Sequence, residues 1–140
     1  MYTYQYPRAA LTVDALAYCT LKNEIFVLLI QRGNEPFKGK WALPGGFVNM
    51  DETLEEACKR ELLEETGLEV EKMNQFKAFD ALHRDPRHRT ISVVFSTQLT
   101  KMAEVKGGDD AAVASWFPVT DLPDLAFDHQ QILGEFFSMK

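Results

Sequence analysis

Cysteine is scarce in this chain. Cys19 and Cys58 are the only two in 140 residues and lie far apart, which excludes a disulfide framework. No Cys/His cluster favours zinc, and His83 and His88 have no ligand partner at metal-site spacing. No apolar run approaches the roughly 20 residues of a membrane span. The opening MYTYQYPRAA lacks the charged start and hydrophobic stretch of a secretory signal. The expectation is therefore a cytoplasmic protein without a membrane partner. A basic excess is missing too: 15 Lys and Arg stand against 21 Asp and Glu, a net charge of -6. That balance argues against a nucleic-acid partner, which calls for a basic face. It does not exclude a phosphate-bearing ligand, because bound cations invert a local field.

What is present describes one globular domain spanning residues 1–140. Hydrophobic residues make up 46% and charged residues 26%, enough to build a single core in a chain of this length. No repeat or low-complexity linker divides it. Residues 9–19 and 24–31 are β-branched and apolar runs on either side of a polar turn at Lys22 and Asn23, and so predict two paired strands. Residues 32–40 form a loop rich in Gly, Pro and charge. In WALPGGFV, Pro44, Gly45 and Gly46 predict tight turns and close backbone approach. Strands are also predicted at 75–82, 90–99 and 111–119, with the basic loop HRDPRHR between the first two. The last helix is predicted from Asp128 to Met139, with Ile132, Leu133, Phe136 and Phe137 near helical spacing. Interleaved strands and helices indicate an α/β or α+β fold with a mixed sheet.

The clearest helix lies in DETLEEACKRELLEETGL, which places seven acidic residues among eighteen. Thr53 and Glu56 fit a capping box, Asp51 and Glu52 lie at the positive end of the dipole, and Gly67 supplies the stop. Glu61, Glu64 and Glu65 stand at i, i+3 and i+4, so the spacing directs their carboxylates toward one face. Like charges so placed cost a few tenths of a kcal/mol per pair, a penalty that a cation among them removes. Oxygen-only ligands suit Mg²⁺ or Mn²⁺. Such ions neutralise a diphosphate and lower the pKa of a bound water.

From Gly46 the sequence runs five residues to Glu52, then seven more to Arg60-Glu61-Leu62-Leu63-Glu64-Glu65-Thr66-Gly67-Leu68. This 23-residue segment matches the Nudix box at all nine defined positions, and the chain resembles the Nudix hydrolase superfamily. The resemblance implies a Nudix fold, a mixed β-sheet sandwiched between helices. It also implies hydrolysis of a nucleoside diphosphate linked to another moiety, with divalent cations. On that basis Glu61, Glu64 and Glu65 match metal-binding and water-activating carboxylates, and the Gly46 carbonyl matches a further metal ligand. Arg60 and Glu52 match residues that brace the loop and helix, Arg60 orienting a catalytic glutamate; a plain salt bridge is the alternative reading.

Softer stretches, YPRAALTVDAL, LLIQRGNEPFKGKWALPGGFV, HRDPRHR, GDDAAVASWFPV and LPDLAFDH, resemble the ADP-ribose pyrophosphatase branch. That branch also contains ADP-ribose-sensing transcriptional regulators. The implied reaction converts ADP-ribose to AMP and ribose 5-phosphate. Arg32 reaches a phosphate or is a surface arginine. Arg84 and Arg89, in the local basic loop, are substrate-binding candidates, since guanidinium suits bidentate phosphate recognition; a solvated hairpin loop is the alternative. Asp109 and Asp110 supply a substrate contact and a metal-ligating or basic carboxylate, or else simple turn chemistry. Phe37 and Trp41 stack on adenine or belong to the core. For Asp128, capping of the last helix is the simpler account.

Three other functions share these residues: a nucleoside-triphosphate pyrophosphatase, a non-catalytic ADP-ribose sensor, and an inactive interaction module. The intact box, the negative charge and a chain ending at Lys140 without an evident DNA-binding segment favour the enzyme. A homodimer is the general prior for oligomeric state.

Overall fold

The computed structural model describes residues 1–108 and 111–138. Its first two strands, β1 (Ala10–Leu21) and β2 (Glu24–Arg32), form a hairpin. Lys22 and Asn23, at φ 52° and 65°, make the two-residue turn whose twist suits adjoining strands. Then come β3 (Trp41–Ala42), β4 (Gly45–Phe47), α1 (Leu54–Thr66), β5 (Asn74–Phe79), β6 (Thr90–Leu99), β7 (Ala111–Pro118) and α2 (His129–Ser138). Asp109, Asp110 and Met139 lie outside the described residues.

The strands form one mixed sheet in the order β3-β2-β1-β6-β5, with β4 also on β1 and β7 on β2. β1 and β6 run parallel from Ala10↔Thr90 to Cys19↔Leu99. On its other edge β1 pairs with β2 only from Tyr18 to Leu21, and the two strands then part. The segment 41–47 fills the fork. β3 pairs with Ile30 and Gln31 of β2, β4 pairs with Thr12–Asp14 of β1, and the Ala15 amide donates to the Pro44 carbonyl at 2.7 Å. The Pro-Gly-Gly segment is thus drawn into the middle of the sheet.

Side chains alternate across β1. Val13, Ala15 and Ala17 join Ala57, Cys58 and Leu62 of α1 in one core. Leu16 and Tyr18 join Ile132, Leu133 and Phe136 of α2 in the other. The sheet is sandwiched between the two helices, as expected. Fully buried side chains such as Leu62 and Ile132 contribute about 1.5–3 kcal/mol each, which fixes both helices firmly against the sheet.

α1 carries its expected ends. Thr53 Oγ1 accepts from the Glu56 amide at 3.2 Å, and Glu56 Oε1 accepts from the Thr53 amide at 2.8 Å. Gly67, at φ 77°, donates its N–H to the Leu63 carbonyl. The segment before β7 lies along α1: the Lys106 amide donates to the Thr66 carbonyl at 3.1 Å, and Trp116 Nε1 donates to the Ala103 carbonyl at 2.9 Å.

Several element ends shift by one to three residues from the expectation, and two of the shifts have a visible side-chain cause. The strand predicted at 75–82 ends at Phe79, because the Asp80 and Ala81 carbonyls turn to accept from Arg89 Nη1 at 2.7 and 3.3 Å. The last helix starts at His129, and the Asp128 carboxylate engages Arg84. No helix among the described residues is long and apolar enough to cross a membrane.

Candidate active site

Arg60 gathers two acidic residues of α1, Glu61 and Glu64, and ties them to the loop before it. Its Nε and Nη2 fork onto the two Glu52 oxygens at 2.9 and 2.6 Å. Nη1 reaches Glu61 at 2.8 Å and Glu64 at 3.2 Å, and Nη2 also reaches the Phe47 carbonyl at 3.1 Å. Glu52 in turn accepts from the Asn49 amide at 2.8 Å. The Arg60 hydrogen bond holds the Glu52 carboxyl below its ordinary range. The acids return the effect, holding the guanidinium protonated above its own usual value.

Glu65 turns inward, where one of its oxygens accepts from the Gly45 amide at 2.7 Å. Glu61 and Glu65 face a cleft of about 440 Å³ that Gly45, Gly46 and Arg60 also line. Burial pushes the Glu61 carboxyl above its ordinary value, and the hydrogen bond from Arg60 offsets this only in part. The three glutamates are not gathered into one open cluster, as helical spacing alone suggests. Gly45 claims one, and Arg60 bridges the other two. Among the described residues no group of three metal-ligating side chains forms a ready-made metal site. The donor set nonetheless fits a hard divalent cation: its donors are all oxygen, and a half-buried carboxylate such as Glu61 gains from a positive neighbour.

Gly46 sits where a side chain has no room, since a Cβ there would stand 2.6 Å from the Glu61 carboxylate. Gly46→Ala is therefore expected to keep the fold while displacing Glu61. On the scale of a misplaced reacting group, turnover should fall on the order of 100-fold. Steady-state rates alongside a circular-dichroism melt would check this; an unaltered rate would mean that Glu61 needs no such placement.

The opposite wall comes from the 80–89 loop and the start of α2. Arg84 is almost wholly buried and forks onto Asp128 at 2.9 and 2.6 Å. Arg87 pairs with the buried Asp85 at 2.8 Å. Arg32 donates to the Pro36 carbonyl at 2.7 Å and lies 4.9 Å from the Phe127 ring centroid. Arg32, Arg84, Arg87 and Phe127 all line the cleft. Two expected substrate contacts do not. Arg89 is spent on closing the base of its loop, and Phe37 packs behind Phe127, edge to face at 4.9 Å. The aromatic ring in the cleft is Phe127, which adopts φ 52°. Trp41 packs on Phe117. Asp109 and Asp110 fall outside the described residues; Gly108, just before them, lies against the Glu64 carbonyl.

The cleft floor holds two residues that sequence reasoning missed, Asp14 and His129. His129 Nδ1 accepts from the Leu43 amide at 3.0 Å, which places the ring proton on Nε2. Burial pulls its pKa below the ordinary 6.5. The unfolded chain then binds the extra proton more readily, so stability is lost as pH falls below about 6.5. Urea unfolding across that range should show this slope, and His129→Gln, which can still accept from Leu43, should flatten it. A slope that persists would assign the effect to other groups.

A family model for the NUDIX domain matches residues 10–138. The chain belongs to the Nudix family. It is 42% identical over 135 residues to an ADP-ribose pyrophosphatase of Methanocaldococcus jannaschii, covering 96% of this chain and 77% of that one. Among solved Nudix structures it resembles the NUDIX domain of Shewanella oneidensis NrtR complexed with ADP ribose. That match has a TM-score of 0.88 at 30% identity, covering 96% of this chain and 90% of the other. It also resembles a bifunctional NMN adenylyltransferase/ADP ribose pyrophosphatase from Francisella tularensis, complexed with AMP and a Mn ion. There the TM-score is 0.85 at 32% identity, over 97% of this chain and 43% of that longer one. The Nudix box of this chain is the Arg60-centred assembly, and the wall facing it is built from residues outside the box.

Proposed function

We propose that this chain hydrolyses the diphosphate linkage of ADP-ribose, with Mg²⁺ as its cation and Mn²⁺ able to replace it. The observation that carries the reading is the cleft itself. The Arg60-held glutamates and the Gly45-Gly46 turn form one side, and an arginine-rich wall with Phe127 forms the other. The likeness to an ADP-ribose pyrophosphatase and to an ADP-ribose-bound domain supports that substrate over other diphosphates.

In this reaction the oxygen of water forms a bond to one phosphorus and the bridging P–O bond breaks. The water protons pass to the products, AMP and ribose 5-phosphate. Glu61, Glu64 and Glu65, with the Gly46 carbonyl, are the groups that would hold the cation. When bound, such a cation neutralises phosphate charge and makes water a better nucleophile. Arg60 keeps Glu61 and Glu64 in a fixed relation and, through Glu52 and the Phe47 carbonyl, fixes the glycine turn against them. Arg32, Arg84 and Arg87 supply positive charge toward the diphosphate. Asp128 and Asp85 pre-orient two of these guanidiniums, which lowers the ordering cost of binding.

Parallel assays with ADP-ribose and a panel of nucleoside triphosphates, each with Mg²⁺, test the substrate. ADP-ribose is expected to have the highest kcat/KM. Faster turnover of the triphosphates would identify a triphosphate pyrophosphatase instead.

A further inference from the structure

On the cleft floor an acceptor and a donor stand side by side without satisfying each other. Asp14 Oδ2 accepts from the Ser92 hydroxyl at 2.5 Å. Asp14 Oδ1 is 3.6 Å from His129 Nε2, too far for a direct hydrogen bond. The Leu43 amide occupies Nδ1, so the Nε2 proton points toward that gap. Both residues line the cleft. Gly45 keeps the acid open, because a Cβ at that position would stand 2.5 Å from Asp14 Oδ1. Unlike Asp85 and Asp128, Asp14 makes no salt bridge to an arginine among the described residues, although the Arg84 charge acts on it from nearby.

An acceptor and a donor at this separation select the chemistry of their ligand. A phosphate oxygen only accepts and is repelled by the carboxylate. An ammonium only donates and meets the Nε2 proton. A hydroxyl does both: it donates to Oδ1 and accepts from Nε2. We propose that Asp14 and His129 bind a ribose hydroxyl of the substrate and are specificity-determining residues for ribosyl diphosphates. Ser92 is a positioning residue that fixes the rotation of the carboxylate. The assignment rests on the reading of the substrate as ADP-ribose, and it adds the group by which the sugar is recognised.

The test compares Asp14→Asn with the wild type on ADP-ribose and on two analogues. One analogue lacks the hydroxyls of the adenosine ribose, the other those of the distal ribose. On ADP-ribose the variant is expected to raise KM about tenfold or more, with kcat changed by less than about threefold. On one of the two analogues, variant and wild type should become equal, and that analogue identifies the ribose concerned. An equal penalty on all three substrates, or a loss confined to kcat, overturns the assignment. If Asp14→Asn does not fold, Ser92→Ala carries the same comparison with a smaller KM rise, about threefold. If the wild type turns over no ribosyl diphosphate, this assignment and the substrate reading fall together. If it turns over ADP-ribose and the hydroxyl comparison fails, only the assignment falls.

Discussion

Glu64→Gln is expected to lower kcat on ADP-ribose by on the order of 100-fold or more, as when a metal cluster loses a charged ligand. The fold should be nearly untouched. The Glu64 side chain is 39% exposed, and its ion pair with Arg60 is the longest of that residue's three, at 3.2 Å. An exposed pair of this kind contributes well under about 1 kcal/mol. Rate measurement together with urea unfolding separates the two effects. Full activity in a folded variant would remove Glu64 from the reaction and leave Glu61 and Glu65 as the carboxylates facing substrate.

Arg60→Met should damage both stability and rate. It strips the guanidinium from Glu52, Glu61 and Glu64 and releases the Phe47 carbonyl. Removing one partner of a buried pair costs about 3–5 kcal/mol. The Arg60 side chain is 27% exposed, so solvent screening brings the expected loss to about 2–3 kcal/mol. Turnover should fall about 10- to 100-fold, because the remaining ligands lose their orientation. Saturating Mg²⁺ should restore more stability to the variant than it adds to the wild type, since the cation then answers repulsion that Arg60 no longer masks. Unfolding midpoints measured with Mg²⁺ and with chelator would show it. Equal midpoints for variant and wild type would mean that the clamp is only a surface salt bridge.

Local chemistry was readable from the sequence, and long-range geometry was not. The ends of α1 follow from Thr53, Glu56 and Gly67, whose interactions lie within a few residues of one another. The hairpin turn follows from Lys22 and Asn23. The fork between β1 and β2 has no local sign, because it exists only once the segment 41–47 is inserted between strands that pair elsewhere. The basic loop posed a similar problem. Arg84 and Arg89 look equivalent in sequence, yet Arg84 meets Asp128 across 44 residues while Arg89 turns back onto its own loop. Phe127 takes the place in the cleft expected of Phe37, again through a contact distant in sequence. Asp14 does carry a sequence signal: a carboxylate among Val13, Ala15 and Leu16, in a strand with both faces covered, needs a reason to be there.

Val13 and Asp14 are neighbours on β1, and they look out on opposite sides of the sheet. Behind Val13 lies the helix bearing the box glutamates; beside Asp14 lies the start of α2. The groups that would cut the substrate and those that would choose it are therefore braced by separate cores and share only the sheet between them. Changes around α2 can retune the choice of sugar without loosening the helix that bears the glutamates. A descendant of this chain can acquire a new substrate and keep its old reaction.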